Sequence, residues 1–212
     1  IMSSDWSSDV CSSDLGMLVQ GDESGDKSLL DEVAEYLKKK YKKPGNVFTG
    51  LVHRIDRPVS GVVLIARTSK ALARMNELLR NRDIKREYWA LVKDKPEKLK
   101  DTLKHYLRKD ESKNKSFASF KQKKGSKLAV LDYEVAGRSS NYYLIKVNLR
   151  TGRHHQIRCQ LAKIKIPIRG DLKYGFPRSN KGGGINLHAK KLEFIHPVKQ
   201  EKIIIEARSE EH

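Results

Sequence analysis

The sequence predicts an α+β fold, and three observations lead to that prediction. Val62 to Ala66 is an uninterrupted apolar run with the length of a buried strand. Residues 85–92, 128–135 and 142–149 have the composition and alternation that are typical of strands. A few segments with helical apolar spacing are inserted between these strands. Many strands with few helices favour a mixed, mainly antiparallel sheet that is flanked by helices and loops.

Capping residues and turn residues indicate where the predicted helices begin and end. Ser28 is placed to cap a helix over Leu29 to Tyr41, which ends before Pro44-Gly45-Asn46. Lysines at the end of this segment suit the helix dipole. The elements predicted further along the chain are a second helix capped by Ser69, a turn at Thr151-Gly152, a third helix over Arg153 to Lys163 and a last strand over Lys202 to Ala207.

Net charge is the strongest compositional signal. The 212 residues carry 44 Lys and Arg against 26 Asp and Glu, which gives a net charge of +18. Such an excess indicates an anionic partner, either nucleic acid or an acidic membrane surface. No apolar run approaches the roughly 20 residues of a membrane span, and the opening residues lack the regions of a signal peptide. Cys11 and Cys159 are too few for a disulfide scaffold, so we expect a reducing, cytoplasmic compartment.

Residues 1–15 differ in character from the rest of the chain. They repeat Ser-Ser-Asp three times and contain no basic residue and no helical or strand period. A short disordered acidic tail is one interpretation. We favour a second, in which this segment is non-native sequence fused to an incomplete gene and is left out of fold reasoning. The folded domain is then predicted to span residues 16–212.

A basic segment lies in the middle of the chain. Residues 81–127 hold 16 Lys and Arg against 7 Asp and Glu, which is half of the total excess. A solvated basic linker or hairpin is the simpler interpretation. Tyr106, Phe117 and Phe120 stand among the lysines, however, so a surface that follows an RNA backbone and stacks bases is the alternative.

Asp56 is the first candidate for chemistry. It lies between Arg54 and Arg57, in a loop that contains Pro58 and Gly61. A structural interpretation is an Asx-turn before proline with two surface arginines. A functional one is a carboxylate that nearby cations keep ionised, ready to act as a nucleophile.

A second candidate is the basic turn from Arg150 to Arg158. Its arginines and histidines at a strand-to-helix turn are suited to an anion site, although a basic turn with a satisfied histidine pair is equally consistent. Zinc is unfavourable, because His154 and His155 point in different directions on a helix and no cysteine or carboxylate completes a ligand set. Walker and dinucleotide-binding glycine loops are absent from the sequence.

Five segments, numbered here as the first to fifth motifs, follow one another along the chain: His53 to Gly61, Arg86 to Val92, Arg150 to Arg158, Gly170 to Gly175, and Leu187 to Pro197. Taken in this order, over about residues 16–207, they resemble the RluA family of RNA pseudouridine synthases. The corresponding family patterns are His-Arg-Leu-Asp-x-x-Thr-Ser-Gly, Lys-x-Tyr-x-Ala-x-Val, Arg-Thr-Gly-Arg-x-His-Gln-Ile-Arg, Gly-Asp-x-x-Tyr-Gly and Leu-His-Ala-x-x-Leu-x-Phe-x-His-Pro. In the second motif, Arg86 stands in place of Lys.

Two departures from the family pattern stand out. Val59 replaces the usual Thr. The strand that normally ends in Asn-Lys-Pro-x-Gly is missing, and residues 1–15 stand in its place. We therefore expect a catalytic domain that lacks an S4-like RNA-binding domain and its first strand.

The resemblance implies the pseudouridine-synthase catalytic fold and an isomerase that converts uridine in ribosomal or transfer RNA to pseudouridine. Asp56 aligns with the Asp that acts on the ribose, Tyr88 with the Tyr on the target base, and Arg158 with the Arg that pairs with that Asp. Arg54 aligns with an Arg that helps to turn out the nucleotide, and Leu192 is expected to wall the pocket. The full set of expected substrate-binding residues is His53, Arg54, Arg57, Arg153, His155, Gln156 and Leu192.

The resemblance implies no cofactor and no metal, and we expect a monomeric, cytoplasmic protein with RNA as its partner and no membrane association. Two alternatives remain open at the level of sequence. One is an RNA-binding protein that has lost catalysis, against which the presence of Asp56, Tyr88 and Arg158 argues. The other is a basic protein that binds DNA or a membrane surface.

Overall fold

The computed structural model describes residues 27–208, Val19 and, for the backbone alone, residues 2–3 and 8–13. The chain divides into two compact units. The first unit comprises Ile1–Ile84 with Ala189–His212, and the second comprises Lys85–His188.

Eleven strands and three α-helices are assigned in the described residues. The helices are α1 (Leu29–Lys40), α2 (Ser69–Asn81) and α3 (Gln156–Lys163). The strands are β1 (Met2–Ser3), β2 (Ser8–Ser13), β3 (Gly50–Leu51), β4 (Ser60–Ala66), β5 (Lys85–Val92), β6 (Lys100–Asp110), β7 (Lys115–Ser119), β8 (Lys127–Arg138), β9 (Tyr143–Leu149), β10 (Leu187–Ile195) and β11 (Lys202–Glu206). The α+β prediction is confirmed.

In the first unit, β4 is the central strand, and its residues from Gly61 to Ala66 are all buried. It pairs with β2 and β3, and β10 pairs with β11, in each case antiparallel. The apolar core of the unit includes Leu64 and Met75, which pack with Leu192 and Phe194. The loop after β3 is therefore fixed at both ends to a buried strand.

The predicted helix caps are confirmed for α1 and shifted by one residue for α2. Ser28 forms a capping box with Asp31, as each side chain accepts a bond from the other's backbone amide. At α2 the cap is Thr68, not Ser69, because the Thr68 hydroxyl accepts the amide of Ala71 at 3.1 Å.

In the second unit, the strands follow the order β5-β9-β8-β6-β7, and each neighbouring pair is antiparallel. Helix α3 packs against one face, where Leu107 and Ala129 meet Cys159. Within the basic segment of residues 81–127, residues 85–92 form β5 and residues 100–119 form a hairpin of β6 and β7. The predicted start of the third helix is wrong, because His155 has left-handed backbone angles (φ 51°) and α3 begins only at Gln156.

Part of the unusual N-terminal segment lies beside β4. The backbone of β2 pairs antiparallel with β4, in a register that joins Ser8 to Ala66 and Ser13 to Gly61. The sequence has no strand period there, but ladder hydrogen bonds use only backbone groups. The non-native origin of residues 1–15 is a separate question and stays a prediction. Within residues 27–208, no helix is long and apolar enough to cross a membrane.

Candidate active site

The first motif forms a tight loop that presents charged side chains between apolar anchors. Ile55 and Val59 are buried, and the Val59 amide donates to the Asp56 carbonyl at 2.9 Å, which closes a turn. Asp56 is half-buried, whereas Arg54 and Arg57 are exposed. The buried, apolar setting of Val59 suits valine where the family has threonine.

His53 lies near the start of this loop and attaches it to β4. Its Nε2 accepts the Leu64 amide at 3.3 Å, so the ring bridges the loop to β4. An Nε2 that accepts this bond leaves the proton of a neutral ring on Nδ1. The structure thus gives His53 a supporting contact beside Asp56, in addition to its predicted contact with substrate.

Gly61, the last residue of the first motif, allows the backbone of the fifth motif to pack directly against it. Its φ of 121° is a conformation that favours glycine, and a Cβ there would overlap the carbonyl oxygen of Ala189. The first and fifth motifs are therefore packed together in the first unit. Leu192, from the fifth motif, is buried in the apolar core of this unit.

The second and third motifs meet in the second unit, also at a glycine. Arg86 and Tyr88 lie two residues apart on β5, so their side chains leave the same face of the strand. A Cβ on Gly152 would lie 2.6 Å from Nη1 of Arg86. Burial lowers the pKa of the Arg86 guanidinium, and its buried Nε has no hydrogen-bond partner within residues 27–208.

The turn that opens the third motif is held by Gln156. Its Oε1 accepts the Thr151 hydroxyl at 2.8 Å and the Arg153 amide at 2.9 Å, and its Nε2 donates to the Val130 carbonyl at 3.1 Å. These bonds fix the backbone that carries Arg153, whose guanidinium stands exposed at the Leu128 carbonyl. Gln156 was expected to contact substrate, and the contacts seen here are with the turn.

The third and fourth motifs share a buried polar network. Oη of Tyr174 accepts the Ser116 amide at 2.9 Å and lies 3.0 Å from Nδ1 of His155. His154 stacks on His155, with ring centroids 3.8 Å apart, and its Nδ1 lies 2.9 Å from the Ser116 hydroxyl. The left-handed backbone at His155 allows both rings to face this network.

Arg158 and Asp171 form a deeply buried ion pair. Nε of Arg158 donates to Oδ2 of Asp171 at 2.7 Å, and Nη2 donates to Oδ1 at 2.9 Å. The two side chains are 5% and 1% exposed. Such a bidentate pair fixes the plane of the guanidinium. Asp171 thus orients the arginine that the sequence assigns to catalysis.

We expect Asp171→Asn to lower the free energy of unfolding by about 3 kcal/mol, because it removes the carboxylate charge of a buried pair and weakens its two hydrogen bonds with Arg158. Asp132→Asn is the matched control. Asp132 pairs with Nε of Arg150 at 2.6 Å, but those side chains are 27% and 59% exposed. An exposed pair contributes about 0–1 kcal/mol. Urea unfolding of both variants is the measurement, and equal losses would contradict the assignment.

The burial of His155 predicts that the protein loses stability as the pH falls. Burial, followed by the nearby charge of Arg158, lowers its pKa from 6.5 to about 2. Below its ordinary pKa, the unfolded chain binds a proton that the folded chain does not bind, so stability falls with falling pH. The expected loss approaches about 1.4 kcal/mol per pH unit below about pH 6. Urea unfolding at several pH values should show a smaller dependence for His155→Gln, and an unchanged dependence would refute this.

The predicted site residues therefore fall into two clusters, and each cluster is described within its own unit. His53, Arg54, Asp56, Arg57 and Leu192 lie in the first unit, and Tyr88, Arg153, His155, Gln156 and Arg158 lie in the second. Sequence reasoning assigned no role to Asp171 and Tyr174, although both stand in the fourth motif. The sequence shows the fourth motif, but only the structure shows that Asp171 pairs with Arg158 and that Tyr174 contacts His155 and Ser116. Within residues 27–208, no group of three or more His, Cys, Asp or Glu side chains is arranged to hold a metal ion.

Comparisons with known proteins identify the family of this chain. The family model described as RNA pseudouridylate synthase matches residues 14–163. "Ribosomal large subunit pseudouridine synthase C" of Buchnera aphidicola subsp. Baizongia pistaciae is 36% identical over an alignment of 174 residues, which covers 78% of this chain and 54% of that protein. "tRNA pseudouridine synthase C" of Salmonella typhi is 31% identical over an alignment of 190 residues, which covers 78% of this chain and 69% of that protein.

A solved structure extends the comparison to the fold. "Human RNA Pseudouridylate Synthase Domain Containing 4" aligns with a TM-score of 0.82 at 21% identity, and the alignment covers 98% of this chain and 87% of that one. The chain spans about half the length of the first curated relatives it matches, 54% and 57%. On the match of the family model and these relatives, the chain belongs to the RNA pseudouridylate synthase family, in the RluA-type group that its five motifs resemble.

Proposed function

We propose that this chain isomerises uridine in ribosomal or transfer RNA to pseudouridine. The observation that carries the proposal is the family match over residues 14–163, which includes the motifs of Asp56, Tyr88 and Arg158. The relatives' names refer to ribosomal and transfer RNA synthases. The net charge of +18 suits a polyanionic substrate. We also propose that the protein is cytoplasmic and acts as a monomer.

The reaction rearranges bonds within one nucleotide. The C1′–N1 glycosidic bond breaks, the uracil turns, and C5 bonds to C1′. The proton on C5 leaves and N1 gains a proton, so substrate and product have the same composition. A carboxylate suits a sugar centre with oxocarbenium character, as in glycoside hydrolysis. Asp56 fills this role, either as the nucleophile at C1′ or as a base at C2′.

Tyr88 and Arg158 complete the proposed catalytic group. The Tyr88 ring stacks on the target uracil, and its hydroxyl moves the proton at C5. Arg158 orients the carboxylate of Asp56, and Asp171 fixes the plane of the Arg158 guanidinium. Asp171 is in this sense a positioning residue.

The target nucleotide must leave its stack before its sugar can be reached. This step costs a few kcal/mol and favours uridines in loops. Arg54, which is exposed, contacts the turned-out nucleotide in this proposal, together with His53, Arg57, Arg153, His155, Gln156 and Leu192.

Tritium release tests the proposal. RNA transcribed with 5-tritiated uridine loses tritium to water when C5 bonds to the sugar, so release measures turnover directly. We expect release from ribosomal or transfer RNA. Tight binding without release from either RNA would favour the alternative of an RNA-binding protein that has lost catalysis. Pseudouridine mapping in RNA from cells with and without the gene then identifies the modified position.

A further inference from the structure

One face of the second unit's sheet has an unusual combination of side chains where β6, β7 and β8 run together. Tyr106 is paired with Ser119 on one side and Leu128 on the other, and Arg108 lies opposite Phe117. The buried face of the same strands carries Leu107 and Ala129, which pack near α3. Alternation therefore places a set of five side chains on the outer face, which we call the hairpin platform: Lys104, Tyr106, Arg108, Phe117 and Leu128.

The hairpin platform combines apolar and aromatic side chains with two cations, and four of its five side chains are exposed. Phe117 is 44% exposed and Leu128 is 45% exposed. The ammonium of Lys115 lies 5.7 Å from the centroid of the Phe117 ring. Exposed apolar groups that cluster on a basic surface indicate a binding site.

Charge divides this outer face into two regions. Away from the hairpin end its carboxylates are paired, because Asp132 bonds Thr102 and Arg150, and Glu134 lies near Lys100 and Lys146. In the hairpin platform the only charged groups are cations. Among residues 27–208, neither Lys104 nor Arg108 forms an ion pair.

The carboxylates nearest to the hairpin platform stand at the β6–β7 turn and are engaged there. Asp110 accepts the Ser112 hydroxyl at 2.7 Å and the Lys113 amide at 3.2 Å. Glu111 is paired with Lys109. The charged side chains within the hairpin platform are therefore both cations, and the carboxylates of Asp110 and Glu111 stand at its turn end.

Rings and cations that share a flat sheet face match the chemistry of an unpaired RNA strand. Exposed bases stack on aromatic side chains, whereas phosphates contact Lys and Arg. A duplex hides its bases within the stack and offers no such match. The platform also adjoins the third motif, because Nε of Arg153 donates to the Leu128 carbonyl at 3.0 Å.

We propose that the hairpin platform binds a single-stranded segment of the RNA substrate, with bases on Phe117 and Tyr106 and phosphates on Lys104 and Arg108. This inference rests on the proposed function for the identity of its ligand. It adds an RNA contact on the sheet face opposite to that of Tyr88, because the register places Tyr88 in one row with Val147 and Tyr133.

The test compares two phenylalanines of one hairpin. Phe117 lies in the platform, whereas Phe120 is 69% exposed beside His105 and Lys163, where β7 ends. With an adenosine-only RNA strand as the probe, Phe117→Ala should weaken binding about 5- to 150-fold, the usual value of one stacked base. Phe120→Ala should leave binding unchanged within about twofold, and Phe117→Trp should restore it. Equal losses at the two positions, or no loss at Phe117, would overturn the inference.

Salt dependence tests the phosphate contacts. Removing one contact to single-stranded RNA lowers the slope of log affinity against log salt by about 0.7. Lys104→Gln and Arg108→Gln should each show this reduction, and unchanged slopes in both would count against the platform. Binding to a duplex of matching length should not depend on Phe117. Binding to phosphatidylserine vesicles tests whether the platform binds a membrane surface instead of RNA. Phe117-dependent binding to vesicles but not to RNA would overturn the inference.

These readouts separate the platform from catalysis, because the adenosine strand contains no uridine to modify. Tritium release without any effect of Phe117→Ala on RNA binding would reject the platform and keep the proposed function. Phe117-dependent RNA binding without tritium release would keep the platform and reject the proposed function.

Discussion

Asp56→Asn protein is expected to bind RNA normally and to form no detectable pseudouridine. The substitution keeps the size of the side chain but removes the negative charge, so the residue can act neither as a nucleophile nor as a base at the sugar. Affinity should stay within a few fold, because Lys and Arg contacts to phosphate supply most of the binding. Tritium release and a binding titration on the same preparation measure the two effects.

A purely structural role for Asp56 predicts a different result. The turn is closed by the Asp56 carbonyl, which accepts the Val59 amide, and asparagine keeps that carbonyl. Asparagine also replaces aspartate readily in turns. Near-normal release by Asp56→Asn would therefore reject the proposed mechanism. Asp83→Asn, which alters an exposed carboxylate of the same unit, is the control and should retain full activity.

Tyr88→Phe is expected to lower turnover by about 10²–10⁴-fold, which is the usual contribution of a general acid–base group. The ring remains available for stacking, and only the hydroxyl proposed to move the C5 proton is lost. The C1′–N1 bond should still break. Tritium release should therefore be slow, while the intermediate with a broken glycosidic bond accumulates in a single turnover.

Tyr133→Phe is the matched control for Tyr88→Phe. Tyr133 is also buried in the second unit, and its hydroxyl donates to the Lys98 carbonyl at 3.0 Å. Its loss should cost stability but not turnover. If Tyr88→Phe releases tritium at the normal rate, Tyr88 serves only as a stacking surface.

Short-range features of this fold could be predicted from the sequence. The cap at Ser28 and the buried run in β4 depend on residues close together in the chain, so their spacing is enough to predict them. The start of α3 could not be predicted, because the ring of His155, whose backbone is left-handed, lies at the hydroxyl of Tyr174, which is 19 residues further along the chain. Strand β2 could not be predicted either, because residues 8–13 lack the alternation of apolar and polar residues that predicted the other strands.

The candidate site shows the same division. Asp56, Tyr88 and Arg158 were identified because their motifs resemble a family, and their roles stay predictions. The role of Asp171 was missed, because a carboxylate in a glycine-containing turn does not reveal that an arginine 13 residues earlier is its partner. Spacing likewise assigns Gln156 to the third motif but does not show that its amide bonds the backbone of β8.

The close approach of Gly61 to Ala189 has a consequence for protein engineering. Nearly 130 positions separate these residues along the chain, yet the backbone at one leaves no room for a methyl group at the other. A side chain added at residue 61 would require a compensating displacement of β10, so the two segments are not independent modules. A chimaera with another member of the family should therefore exchange residues 53–61 and 189–197 as one block.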